Sequence, residues 1–205
     1  MKKLLVLLVL LALIGVVADR LAESYTENQI DASMEAGLGD VGGVESDIAS
    51  FPFLGRIAFG GEVQHATITL TDFVQDSVPI AQLRLEVDGL RFDRQSVVKS
   101  SRLRITGVDR VSVRVVVTKE DLRTVLGDVV DEGFAALDGA QLTVTPEGLS
   151  IAGIQIPLPL GDLLPCDAAA TVTADEIDLA CEADRLPNLV VDAIGSVDLR
   201  EQLGV

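Results

Sequence analysis

The chain has 205 residues and a formal net charge of −16; 48% of it is hydrophobic but only 3% aromatic, with no Trp and one Tyr. That length suits one well-buried domain. The acidity excludes a nucleic-acid partner, which needs Lys and Arg to neutralise phosphates, and the scarce aromatics leave few stacking platforms for bases or sugars.

Met1-Lys2-Lys3 and the apolar run Leu4 to Ala18 read as an export segment, with a positive start and a hydrophobic stretch. Val16-Val17-Ala18 offers small residues for cleavage after Ala18. The alternative is an uncleaved N-terminal membrane anchor with its lysines in the cytoplasm. Both readings put 19–205, as a single domain, in the periplasm or on the outer face of the cytoplasmic membrane. No Cys stands near the end of the run, so a lipoprotein anchor is excluded.

Asp19 to Gly37 has a helical composition, with Leu21, Ala22, Tyr25, Ala32 and Ala36 loosely on one side. Gly37 to Gly43 stops it. From Val44 the hydrophobic period becomes two, and residues 44–61 predict strand, turn, strand, with Pro52 interrupting the ladder. At that turn Phe51, Pro52, Phe53 and Leu54 form either core packing or an apolar tip for a membrane interface. Further on, Ala66, Ile68 and Leu70 alternate with threonines, and Leu83, Leu85 and Val87 alternate with Arg84, Glu86 and Asp88. These are half-buried strands with one wet face.

The clearest strand carries Val111, Val113, Val115 and Val117 on one side. Thr118 follows as a helix cap, with Glu120 and Asp121 in the first turn. The helix places Leu122, Val125, Leu126, Val129, Val130, Phe134 and Leu137 at 3.6-type spacing until Gly139. Residues 140–145 and 149–156 then predict a hairpin about Pro146-Glu147-Gly148. Cys166 and Cys181, the only two cysteines, flank two short strands around a turn at Asp175-Glu176. An even cysteine count in an exported chain favours a disulfide between them. Residues 187–195 close the chain as a short helix or strand. Runs of strands around isolated helices argue for an α+β fold.

Chemical signatures are sparse. His65 is the single histidine, it sits in an alternating strand, and no nucleophile elbow, phosphate loop or dinucleotide loop appears. Asp175-Glu176 and Glu120-Asp121 are explained by a turn and a helix cap. The expectation is a non-enzyme without cofactor or metal. Ten of the 16 Lys and Arg lie between Arg84 and Arg123; this stretch is either a solvated strand face or a patch for anionic lipid headgroups. The aliphatic surplus is either an ordinary core or the lining of a groove for acyl chains, which need apolar walls without polar groups.

From Phe51 onward the chain resembles a known family. Residues 52–73 (PFLGRIAFGGEVQHATITLTDF), GLRFDR, VDRVSVRVVVTKEDLRTVL, LTVTPEGLSIAG and IDLACEADRLPNLV are similar, in order, to motifs of the LmeA-like phospholipid-binding family of actinobacterial exported envelope proteins. The resemblance implies a curved antiparallel β-sheet wrapped around a long amphipathic helix, similar to tubular lipid-binding domains. It also implies phospholipid or glycophospholipid binding, contact with a membrane surface, and a role in envelope lipid or lipoglycan homeostasis or transport. It supplies no catalytic residues. The groove lining expected on this basis is Val111, Val113, Val115, Leu122, Val125, Leu126, Val129, Val130, Phe134, Ile154 and Ile156. Arg102, Arg104 and Arg110 are the candidates for headgroup contact. The rival reading is a non-catalytic envelope scaffold that binds a protein partner.

Overall fold

Alternating aliphatic and polar residues dictate a sheet with two unlike faces, and the computed structural model of the chain shows one. It describes residues 2–38, 41–75, 78–93, 95, 104–126, 130–131, 141–145, 148–151, 154–156, 163–188 and 190–191. In order these form α1 (Lys2–Leu38), β1 (Val41–Ile48), α2 (Phe53–Gly55) with a π-helical turn at Arg56–Gly60, β2 (Glu62–Gln75), β3 (Val78–Phe92), β4 (Ile105–Gly107), β5 (Arg110–Thr118), α3 (Lys119–Leu126), β6 (Gln141–Thr145), β7 (Gly148–Ile151), β8 (Ile154–Ile156), β9 (Ala168–Val172) and β10 (Glu176–Ala183). The strands make one open antiparallel sheet in the order β1-β2-β3-β5-β10-β9-β6-β7-β8, with β4 on β3. The fold is α+β.

Strand β3 is irregular near its end. Gly89 has φ of +63°, a conformation that favours glycine, and a Cβ there would collide with the Asp109 side chain. The register with β4 also shifts between Arg91 and Phe92, and such irregularities bend a strand.

Three expectations change. Residues 53–60 are helical rather than the second strand of a hairpin: the Arg56 N–H donates to Pro52 O, and Gly61, at φ 65°, closes the turn with its N–H on Arg56 O and Ile57 O. Phe53 and Ile57, four residues apart, both pack in a small cluster with Ile48, Val63 and Ala66. That helical spacing is the signal which the period-two reading overlooked. The strand expected after Gly148 is two strands, β7 and β8, paired with each other. A long amphipathic helix enclosed by the sheet is not evident: α3 has eight residues, with Val130 and Asp131 again helical, and Val129 and Phe134 lie outside the described residues.

The long helix is α1, 37 residues running from the apolar start into the domain. It lies along β1, which among the described residues pairs only with β2 and so offers an open edge. Carboxylates on one face of α1 meet backbone donors at the end of β1 and at the start of α2. Glu27 Oε1 accepts from the Ile48 N–H at 2.8 Å, and Asp19 Oδ2 accepts from the Phe53 N–H at 2.8 Å. Ser46 Oγ donates to Glu27 O at 3.1 Å. Those donors are thereby satisfied, and α1 along the edge blocks pairing with another chain.

Cys166 and Cys181 are bonded, with Cα atoms 6.1 Å apart. The bond ties β10 to the segment just before β9, where Leu163 and Leu164 are fully buried. Arg185 reinforces the same segment, its Nη2 donating to Pro165 O at 2.9 Å. A C166S/C181S protein should lose about 3 kcal/mol of stability in denaturant titration, the chain-entropy value for a loop this long. E27A should lose about 1.5 kcal/mol, the contribution of a hydrogen bond to a charged group, with E27Q falling between E27A and the native chain in the same titration.

Candidate functional site

Across the central strands one face of the sheet is mainly aliphatic. Strand pairing puts Leu70, Leu83, Val115, Leu179 and Ala170 in a single row across β2, β3, β5, β10 and β9. Each is at most 2% exposed. Val87 stands opposite Val111 and Leu85 opposite Val113 in neighbouring rows. None of these side chains carries a hydrogen-bonding group, so the surface offers dispersion contact and nothing directional.

Several elements cover this face. Leu122 and Val130 come from α3 and the turn after it, Met34 from α1, and Leu163, Leu164 and Leu186 from the segments flanking the last hairpin. The cap of α3 is reciprocal: the Asp121 N–H donates to Thr118 Oγ1 at 3.1 Å, and the Thr118 N–H donates to Asp121 Oδ2 at 3.2 Å. This is the capping box geometry, and it aims Leu122 at the sheet.

Of the expected groove lining, Val111, Val113, Val115, Leu122 and Val130 are thus brought into one buried cluster. The side chains of Val125, Leu126, Ile154 and Ile156 lie outside the described residues, as do Val129, Phe134 and Arg102 altogether. The Phe51–Leu54 tip divides. Phe51 and Pro52 are exposed, whereas Phe53 is buried beneath them, and the Leu54 side chain is outside the description. Arg104 and Arg110 are exposed at the end of the sheet that also carries Phe51.

The opposite face is polar and wet. Arg84 and Arg114 face each other across β3 and β5, a like-charge pair that would repel. Each is diverted to an acid: Arg84 Nε donates to Glu86 at 2.9 Å, and Arg114 binds Asp178 with both nitrogens of its fork. The hydrogen bond to Asp178, then its charge, raises the Arg114 pKa above the ordinary guanidinium value. A shallow concavity of about 580 Å³ lies between Arg84, Ser112, Arg114 and Glu182 on this face.

His65 is also on the polar face. Its Nδ1 lies 2.8 Å from Asp88 Oδ1, and its Nε2 lies 3.4 Å from Thr67 Oγ1. The order acid, imidazole, hydroxyl is that of an activated nucleophile. However, the three groups stand half-exposed on a strand surface. Among the described residues no cluster of three His, Cys, Asp or Glu has the arrangement to hold a metal ion.

Asp131 fastens the turn that carries Val130. Its carboxylate accepts from Lys119 Nζ at 2.7 Å and from Arg123 Nη2 at 2.6 Å. The Lys119 hydrogen bond, followed by the Arg123 one, holds the Asp131 pKa below the usual carboxylate range. A depressed pKa contributes stability that is present at neutral pH and lost as the pH falls through the folded value. The difference in unfolding midpoint between the native chain and D131N should therefore be full at neutral pH and shrink below pH about 4, as read by acid titration of helical circular dichroism.

Compared with known proteins, residues 17–203 match the family described as LmeA-like phospholipid-binding. No curated protein and no solved structure matches the chain.

Proposed function

The chain belongs to the LmeA-like phospholipid-binding family, and we propose that it holds phospholipid acyl chains against the aliphatic face of its sheet, in the cell envelope. The observation that carries this reading is the row Leu70, Leu83, Val115, Leu179 and Ala170, an apolar strip five strands wide with no polar atom on any side chain. Acyl chains gain about 25 cal/mol per Å² from such a surface and need no partner for a polar group. The strip sits at the middle of an open sheet, and its cover is assembled from short segments rather than a second sheet. Covers of that kind can part to admit a chain of methylenes, the route by which a tubular lipid-binding domain would fill.

Export and envelope placement rest on Lys2, Lys3 and the apolar run to Ala18. A role in carrying phospholipid or glycophospholipid for envelope homeostasis follows from that placement together with the family. The reading is non-catalytic: an acyl chain on the aliphatic face meets no nucleophile, and His65 faces the other way.

Native mass spectrometry of residues 19–205, purified from an envelope under oxidising conditions, tests this. The expected result is stoichiometric phospholipid that survives mild declustering. V129E should lower lipid uptake from liposomes at least roughly tenfold, because an ionised carboxylate in an apolar lining costs more than about 1.4 kcal/mol. H65A should leave uptake unchanged. A clean lipid-free mass with no uptake would favour the scaffold that holds a protein partner.

A further inference from the structure

Helix α1 leaves the body of the domain at one end of the sheet, and that end is built unlike the other. Asp19 is buried and bonded to the Phe53 N–H, while Ile14 to Ala18, one turn earlier, are all exposed. The helix is unbroken across this boundary. At about 1.5 Å per residue, its first 17 residues extend roughly 25 Å beyond the domain. No flexible linker separates the apolar run from the folded part.

Aromatic side chains stand beside the exit point. Phe51 is 51% exposed and lies under the Arg20 guanidinium, 5.6 Å from ring centroid to Cζ. Phe59, in the π-helical turn, is 84% exposed, and the same turn carries Arg56, whose Nε donates to Phe51 O. On α1, Ile14, Val17 and Leu21 are exposed as well. Their spacing of three and four residues puts them on one side of the helix, facing away from Asp19 and Glu23, which are buried.

Charge separates the two ends. Six of the nine described arginines lie at the exit end: Arg20, Arg56, Arg91, Arg104, Arg110 and Arg185. They stand among Asp19, Glu23, Glu62, Asp88, Asp93, Asp109, Glu182 and Asp184, with Arg20 paired to Glu23 and Arg91 to Asp109. The far end has Lys119 and Arg123 against Asp72, Glu120, Asp121, Asp131, Asp175 and Glu176. In a chain of net charge −16, the exit end is the one that an anionic surface repels least.

From this we infer that the exit end is a membrane-docking platform: α1 enters the bilayer, Phe51 and Phe59 sit in the headgroup layer, and the arginines around them face anionic headgroups. The strands then stand away from the membrane, with the Val74 end outermost. This rests on the lipid-carrying reading above for its purpose, since it brings the end of the aliphatic face next to the lipid source. Aromatic rings and arginines are the side chains suited to that boundary, apolar in body and polar at the rim. Sequence patterning pointed to Phe51 and Pro52, but Phe59 and Arg56 enter only because residues 53–60 are helical.

The chain has no Trp, so a single substitution creates a unique emitter. Val74 is a matched control: it is 56% exposed and lies at the opposite end of β2, roughly 40 Å away at about 3.3 Å per residue. Full-length F59W and V74W proteins are reconstituted into vesicles of phosphatidylcholine and phosphatidylglycerol, with or without brominated acyl chains. The expected result is a blue shift for F59W and bromine quenching at least roughly threefold stronger than for V74W, because an interfacial side chain reaches about 5–10 Å into the headgroup–acyl boundary. Quenching that is equal for the two, or absent from both, overturns the platform. Strong F59W quenching in a protein that yields no extractable lipid would sink the carrier reading and leave the platform standing; extractable lipid with no F59W quenching would do the reverse.

Discussion

A sheet with one face lined across its central strands by Val, Leu, Ile and Ala cannot leave that face in water, and the described elements around it are arranged by this constraint. The cost scales with area, about 25 cal/mol for each Å² left wet, and the strip crosses five strands without a polar interruption. Helix α3 is tied down by its capping box and by Asp131. The Leu163–Leu164 segment is held by the disulfide and by Arg185, and the Met34 end of α1 completes the cover. Each cover piece is thus fastened by polar or covalent bonds at its margin while its apolar residues do the covering.

An open sheet raises a second problem at its ends. At the end of β1 the Ile48 N–H is met by Glu27 of α1, and the first N–H of α2, that of Phe53, is met by Asp19. Helix α1 therefore has two jobs along its length. Its later turns bury Met34 and meet the end of β1, and its first turns are apolar and project beyond the domain. Because one rigid element does both, the direction in which the apolar run leaves is fixed by the hydrogen bonds of Asp19 and Glu27.

The polar face needs less explanation. Its ion pairs are mostly half-exposed, and such pairs contribute little to stability. Their function is to keep Arg84 and Arg114, facing across two strands, from repelling. This face keeps the sheet soluble on one side and so forces hydrophobic contacts to the other.

The sequence by itself determined the strand faces, the helix cap at Thr118 and the cysteine pair, because each depends on residues close in the chain or on a period of two. It also determined the family, through motifs spread over most of the length. Residues 53–60 escaped that reading: Ile57 and Phe59 alternate like a strand, and only the bond from Arg56 to Pro52 and the packing of Phe53 with Ile57 make the segment helical. The long-range placement was equally hidden. That β5 pairs with β10 across more than sixty residues, that α1 caps β1, and that Phe59 stands beside the exit of α1 are decided by which faces must be buried together. Local periodicity says which side of an element is apolar; only the closed tertiary packing says what that side meets.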